Sequence, residues 1–152
     1  RSHGSRACRT QLTHLAVIDT NVVVSGVLAW REESPVVRIV DAMGSGGLRF
    51  VVSEALLIEY RRVLLDPGIT ARHGLTETEV DEFLTGLIVN AIIREPTGDA
   101  GTEFVPSGDK HVAALLHAVP GAVLLTGDRR LAEAVKSWCT VSTPAEFAAA
   151  HL

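Results

Sequence analysis

The sequence is poor in the residues on which several classes of protein depend. Its two cysteines, Cys8 and Cys139, lie far apart and form no Cys-x-x-Cys or Cys/His pattern, so neither a disulfide framework nor a zinc site is predicted. No apolar run approaches the roughly 18 residues of a membrane helix, and no signal-peptide pattern is present. We therefore expect a cytoplasmic protein from a reducing compartment, with no membrane contact.

Positive charge and aromatic side chains are also scarce. The formal net charge is −4, which argues against broad adhesion to nucleic acid unless local basic patches or bound metal supply the attraction. Aromatic residues make up only 5% of a chain that is 47% hydrophobic, so the core must consist of Val, Leu, Ile and Ala. We expect residues 1–13 to be disordered or introduced by cloning, and residues 14–152 to form a single domain.

Short apolar segments alternate with helical patterns from residue 15 onward. Strands are predicted at 15–18, 48–52, 92–93, 122–126 and 139–142. Helices are predicted at 22–28, 35–43, 54–65, 76–91, 109–119, 129–136 and 144–150. Ser34, Ser53 and a capping box from Thr76 to Glu79 mark three helix starts, and Asp66 begins an Asp-Pro-Gly segment that we expect to end a helix. This alternation predicts an α/β fold, a three-layer α/β/α sandwich with a central parallel sheet of four or five strands.

Two acidic residues follow predicted strands directly. Asp19 ends the apolar segment 15–18, and Asp128 follows the segment 122–126. In a parallel sheet the carboxyl ends of the strands line the crevice where ligands bind, so both carboxylates are expected at that edge. Each could instead be an ordinary N-cap of the next helix.

Two further acids lie on apolar helix faces. Glu59 comes three residues after Leu56 and four before Val63, and Asp109 comes three residues before Val112. A buried carboxylate needs a cation, hydrogen bonds or water. The simpler alternatives are that Glu59 reaches solvent at the edge of its stripe and that Asp109 is an N-cap.

One explanation accounts for all four acids. Converging carboxylates repel one another and raise each other's pKa values unless a cation is present, and no lysine or arginine is predicted on those apolar faces. A site of oxygen ligands alone suits Mg²⁺ or Mn²⁺ rather than zinc. The sequence therefore predicts one or two divalent ions held by Asp19, Glu59, Asp109 and Asp128.

These motifs together resemble those of the PIN-domain nucleases. The matching features are Asp19-Thr20-Asn21 after a strand, Glu59 within a helix, Asp109 opening a helix, and Thr126-Gly127-Asp128 after another strand. More narrowly, the chain is similar to the VapC-like toxins of bacterial toxin–antitoxin pairs. The resemblance implies a PIN-like domain with metal-dependent ribonuclease activity, in which the four acids are catalytic and Asn21 and Thr126 are supporting polar groups.

The resemblance also implies an RNA substrate, an antitoxin protein that covers the acidic crevice, and a homodimer. One departure concerns the loop before the third acid, where relatives often carry an Asp-Pro pair and this chain has Val105-Pro106. If that extra acid contributes to metal binding in relatives, this chain is expected to hold its ions more weakly, unless Ser107 or a water molecule fills the place.

Basic residues follow the third and fourth acids directly. Lys110, His111, Arg129 and Arg130 are candidates for contacts to RNA phosphates, although basic residues at such places are often simply solvated. Two other functions stay open at this point. The domain could be a non-catalytic PIN-like binding or assembly module, or a phosphatase of the haloacid dehalogenase type, although that reaction requires an acid where this chain has Asn21.

Overall fold

Five short strands form one parallel sheet in a computed structural model of the protein, which describes residues 15–152. Their order across the sheet is β3-β2-β1-β4-β5, and the strands are β1 (Ala16–Ile18), β2 (Phe50–Val52), β3 (Ala91–Ile93), β4 (Val123–Leu125) and β5 (Thr140–Ser142). The predicted α/β architecture with a parallel sheet is thus confirmed. The expectation for residues 1–13 lies outside the described residues.

Eight α-helices alternate with these strands in the described part of the chain. They are α1 (Thr20–Leu28), α2 (Pro35–Ser45), α3 (Glu54–Leu64), α4 (Pro67–His73), α5 (Glu77–Ile88), α6 (Lys110–Ala118), α7 (Arg129–Val135) and α8 (Pro144–His151). Side chains of Ser34 and Ser53 accept the predicted capping hydrogen bonds, and Thr76 and Glu79 form the predicted capping box. None of these helices is long and apolar enough to cross a membrane.

Two details of the predicted pattern are wrong. The Asp-Pro-Gly segment begins a helix as well as ending one: Asp66 caps α4 by accepting a hydrogen bond from the Gly68 amide at 3.1 Å. Proline is well tolerated at the first helical position, where its missing N–H costs nothing. Helix α5 ends at Ile88, so Ala91 belongs to β3 rather than to the apolar stripe of that helix.

The central strand β1 is completely buried and lies between β2 and β4. The chain leaves β1 towards β2 on one side and later returns to β4 on the other side. That reversal is a topological switch point, which opens a crevice at the carboxyl ends of the two strands. Ile18 pairs with Leu125, and the Asp19 amide donates a hydrogen bond to the Leu125 carbonyl at 3.0 Å. The residues that follow β1 and β4 are therefore neighbours at this crevice.

Candidate active site

Asp19 is a buried carboxylate at the end of β1, with only 5% of its surface exposed. It occupies the N-cap position of α1 but makes no side-chain capping bond, so the capping alternative is wrong for this residue. Its Oδ2 instead accepts a hydrogen bond from Thr126 Oγ1 at 2.6 Å. Burial raises the pKa of Asp19, and the charges of Asp109 and Asp128 raise it further against the opposing effect of the Thr126 hydrogen bond.

Thr126 connects the ends of β1 and β4. Its buried hydroxyl donates to Asp19 and accepts a hydrogen bond from the Asp128 amide at 2.9 Å. A single side chain thus sets both the orientation of the Asp19 carboxylate and the path of the backbone into Asp128. This geometry agrees with the predicted supporting position of Thr126.

Asp128 is a true helix cap. Its Oδ1 accepts hydrogen bonds from the backbone amides of Arg130 at 2.9 Å and Leu131 at 3.3 Å, at the start of α7. These bonds use only one of the two carboxylate oxygens. Its charge still acts on the other acids, because it raises the pKa of both Asp19 and Asp109.

Asp109 ends a 3₁₀ turn over Ser107–Asp109 and precedes α6. It makes no side-chain capping bond, so the capping alternative is also wrong here. Partial burial and the nearby charges of Asp128 and Glu59 raise the pKa of Asp109, while His111 and Arg130 act in the opposite direction. The charges of Asp128 and Glu59 thus act on Asp109, and the charge of Asp109 in turn acts on Asp19.

Glu59 lies at the flank of the buried stripe of α3, which Leu56, Tyr60 and Leu64 form. Its Oε1 is 2.5 Å from His111 Nε2, and its Oε2 is 3.6 Å from an Arg62 guanidinium nitrogen. Glu59 therefore has two basic partners, His111 and the exposed Arg62, although no lysine or arginine of the described residues lies on the apolar face itself, as expected. His111 faces this carboxylate with Nε2, and its Nδ1 is buried. Neither ring nitrogen therefore presents itself to RNA phosphates, in contrast to the role predicted for His111.

Tyr60 is a contributor that the sequence pattern did not reveal. This fully buried side chain donates a hydrogen bond from its hydroxyl to the Ile18 carbonyl at 2.6 Å, immediately before Asp19. Burial raises the pKa of the phenol well above its usual value, and the charges of Asp19 and Glu59 add to this effect. The tyrosine thereby anchors the end of β1 to α3. A buried tyrosine usually needs a hydrogen-bond partner, which was the available signal.

The remaining predicted residues surround this cluster. Asn21 is exposed in the first turn of α1, and Lys110, Arg129 and Arg130 are exposed at the starts of α6 and α7. Val105, at the position where relatives often carry an acid, is buried in the hydrophobic core. The position is therefore used for packing in this chain.

Asp19 is close enough to Asp109 and Asp128, and Asp109 to Asp128 and Glu59, for their charges to interact, but the four carboxylates do not converge on one position. Across residues 15–152, no three Asp, Glu, His or Cys side chains form a group that could hold a metal ion. Asp128 is turned towards the amides of α7 and Glu59 towards His111, and like charges keep carboxylates apart. Mg²⁺ usually takes one or two carboxylates, with water and substrate phosphate as its other ligands. Asp19 with Asp109 or Asp128 fits that smaller requirement.

Comparison with known proteins agrees with this arrangement. A family model described as PIN domain matches residues 15–130, which is more than half of the chain and contains all four acids. No curated protein matches the sequence. The sheet order, the positions of the acids and the family match lead to one conclusion: the chain belongs to the PIN-domain family, whose members are generally nucleases.

Proposed function

We propose that this protein is a metal-dependent endoribonuclease that hydrolyses RNA phosphodiester bonds. The observation that carries the proposal is the environment of Asp19. This carboxylate is buried at the switch point of the sheet, its pKa is raised by burial and by two neighbouring acids, and no Lys or Arg in residues 15–152 forms an ion pair with it. Such a carboxylate lowers the stability of the folded protein, and groups of this kind are concentrated at functional sites.

Asp19, together with Asp109 or Asp128, would hold one or two Mg²⁺ or Mn²⁺ ions. When bound, a divalent ion lowers the pKa of a water molecule and stabilises the leaving oxygen of the phosphodiester. Thr126 keeps the Asp19 carboxylate turned in one direction, and Tyr60 fixes the backbone that precedes it. Glu59 has one oxygen engaged by His111, so in our proposal it is the weakest of the four predicted ligands. Its proposed role is to orient the attacking water at the edge of the site.

The principal alternative, a non-catalytic binding module whose acids cap helices, is less well supported. Of the three predicted site acids that stand at helix starts, only Asp128 forms capping bonds, whereas Asp19 and Asp109 form none. Helix capping thus accounts for one acid of the three. The PIN-domain match gives no support to the phosphatase alternative.

The choice of RNA, the toxin role, the antitoxin partner and the homodimer are proposals that rest on the resemblance to VapC-like proteins. The exposed side chains of Lys110, Arg129 and Arg130 support the choice of a nucleic acid, because they follow Asp109 and Asp128 directly. Arg130 is also close enough to Asp109 for its charge to act on that acid.

A cleavage assay with labelled single-stranded RNA tests the proposed function. We expect cleavage in Mn²⁺ or Mg²⁺, products that carry 5′ phosphates, and no cleavage in EDTA. Single-stranded DNA of the same sequence tests the specificity for RNA. Absence of cleavage with either ion, or equal cleavage in EDTA, would contradict the proposal.

The raised pKa values also predict how stability depends on pH. The folded pKa values of Asp19 and Asp109 exceed the ordinary value of 3.8. In the pH window between that ordinary value and the folded values, the folded state therefore binds more protons than the unfolded state. The contribution of these acids to the free energy of unfolding is therefore most favourable below about pH 4 and falls as pH rises through their folded pKa values. We expect metal-free Asp19→Asn to melt above the parent protein at pH 7, and the difference to disappear towards pH 4.

Asp81 provides the matched control for this measurement. The guanidinium of Arg61 lowers the pKa of Asp81. At neutral pH Asp81 therefore increases the free energy of unfolding, whereas Asp19 and Asp109 decrease it. Asp81→Asn should melt below the parent protein at pH 7. Millimolar Mn²⁺ should raise the melting temperature of the parent protein and of Asp81→Asn but not that of Asp19→Asn. An Asp19→Asn variant that melts below the parent at pH 7 would contradict this account.

A further inference from the structure

An exposed aromatic ring stands beside two arginines at the edge of the acidic site. Phe104 is 92% exposed, more than any other large hydrophobic side chain in the described part of the chain. It lines an open cleft of about 440 Å³ together with Pro106, Arg129, Arg130, Glu133 and Ala134. A single exposed apolar residue is unremarkable by itself, so the significance of Phe104 depends on its neighbours.

The cleft is locally positive in a chain whose net charge is −4. Its acid, Glu133, forms an ion pair with Lys136 at 2.9 Å, which leaves the charges of Arg129 and Arg130 available. Arg130 also lies close enough to the acids to counteract the raised pKa of Asp109. The cleft is thus an extension of the acidic site rather than a separate surface.

We propose that Phe104 is a stacking platform for one base of a single-stranded RNA substrate, with Arg129 and Arg130 binding the adjacent phosphates. An exposed aromatic ring beside cationic side chains is the combination by which proteins hold single-stranded nucleic acid, because every base offers a face for stacking. The inference rests on the proposed function, since it assigns a subsite to the same substrate. The two arginines beside the ring favour RNA as the partner, because they supply the positive charge that phosphates bind.

Fluorescence anisotropy with a labelled single-stranded RNA tests this role. The measurement is made in EDTA, which prevents metal-dependent cleavage. We expect Phe104→Ala to weaken binding about tenfold and Phe104→Trp to restore it. Trp30→Ala is the matched control, because Trp30 is 61% exposed but lines a different groove, next to His73 and Phe83, and its loss should leave the affinity unchanged.

Salt dependence separates stacking from phosphate binding. Arg129→Ala should weaken binding and reduce the slope of log Kd against log salt concentration by about one, whereas Phe104→Ala should leave the slope unchanged. In a series of RNAs with single abasic nucleotides, one position should remove the difference between Phe104→Ala and the parent protein. That position identifies the stacked base.

Four results would overturn the proposal. The first is that the parent protein does not bind RNA, and the second is that Phe104→Ala and the parent bind it with equal affinity. The third is that Phe104→Trp fails to restore binding, and the last is a changed oligomeric state of Phe104→Ala with unchanged RNA affinity. The last result would assign the ring to a protein contact. The proposed function fails separately, if the parent protein does not cleave RNA with Mn²⁺. Cleavage by the parent together with unchanged affinity of Phe104→Ala would remove the stacking role alone.

Discussion

Replacing Asp19 with Asn should lower the rate of metal-dependent RNA cleavage by at least about 100-fold, since even the residues that support metal ligands cost 10–100-fold when removed. The substitution keeps the shape of the side chain, and an amide oxygen could still accept the hydrogen bond from Thr126. It removes the charge that would hold the ion. The measurement is the initial rate of cleavage of single-stranded RNA at saturating Mn²⁺.

A matched control distinguishes the loss of the Asp19 carboxylate from the loss of a carboxylate elsewhere on the protein. Asp41 is exposed on α2, and Asp41→Asn should cleave at the rate of the parent protein. The melting temperature of each variant establishes that it is folded. If Asp19→Asn retains the activity of the parent, Asp19 is not a ligand and the proposed site is wrong.

Replacing Thr126 with Val should lower cleavage 10–100-fold. Valine has nearly the same shape but leaves the Asp19 Oδ2 without its donor and the Asp128 amide without its acceptor, which are 2.6 Å and 2.9 Å from the hydroxyl. The Asp19 carboxylate would then be free to change its orientation. Because the loss also leaves buried polar groups without partners, stability should fall by about 1–3 kcal/mol.

Serine at the same position tests whether the hydroxyl causes this effect. Thr126→Ser keeps the hydrogen bonds and loses only a methyl group, so it should recover most of the activity that Thr126→Val loses. Equal impairment of the two variants would assign the effect to packing. Activity of Thr126→Val equal to that of the parent would show that Asp19 needs no orientation by this residue.

The position of the strand-end acids could be predicted because it follows from topology alone. Once β1 and β4 are identified as buried parallel strands, their carboxyl ends must lie at the same edge of the sheet, and Asp19 and Asp128 with them. That the two strands are direct neighbours is known only from the structure. The boundaries of most elements also followed from local features such as the Ser34 and Ser53 caps. Helix α4 was missed because Asp66-Pro67 is equally suited to a turn and to a helix start.

Contacts between distant parts of the chain could not be predicted. Glu59 and His111 are 52 residues apart, and Tyr60 and Ile18 are 42 apart. Their contacts depend on how α3 packs against α6 and β1, which no local pattern contains. His111 consequently looked like an exposed residue for RNA phosphates, and Tyr60 looked like an ordinary core residue.

The sequence also could not distinguish the acids that cap helices from those that do not. Asp128 has the extended backbone (φ −86°, ψ 110°) from which a side chain reaches the amides of the following turn. Asp109 comes out of a 3₁₀ turn with ψ near 0°, and Asp19 has its Oδ2 taken by Thr126. The difference lies in backbone angles and in a partner 107 residues away.

Anomalous diffraction from a crystal soaked in Mn²⁺ locates a bound ion without reference to any activity. We expect a peak bound by the Asp19 carboxylate and by at least one of Asp109 and Asp128, with Glu59 outside the direct ligands. No peak at Asp19, or peaks only at surface acids such as Glu77 and Asp81, would contradict the proposed metal site.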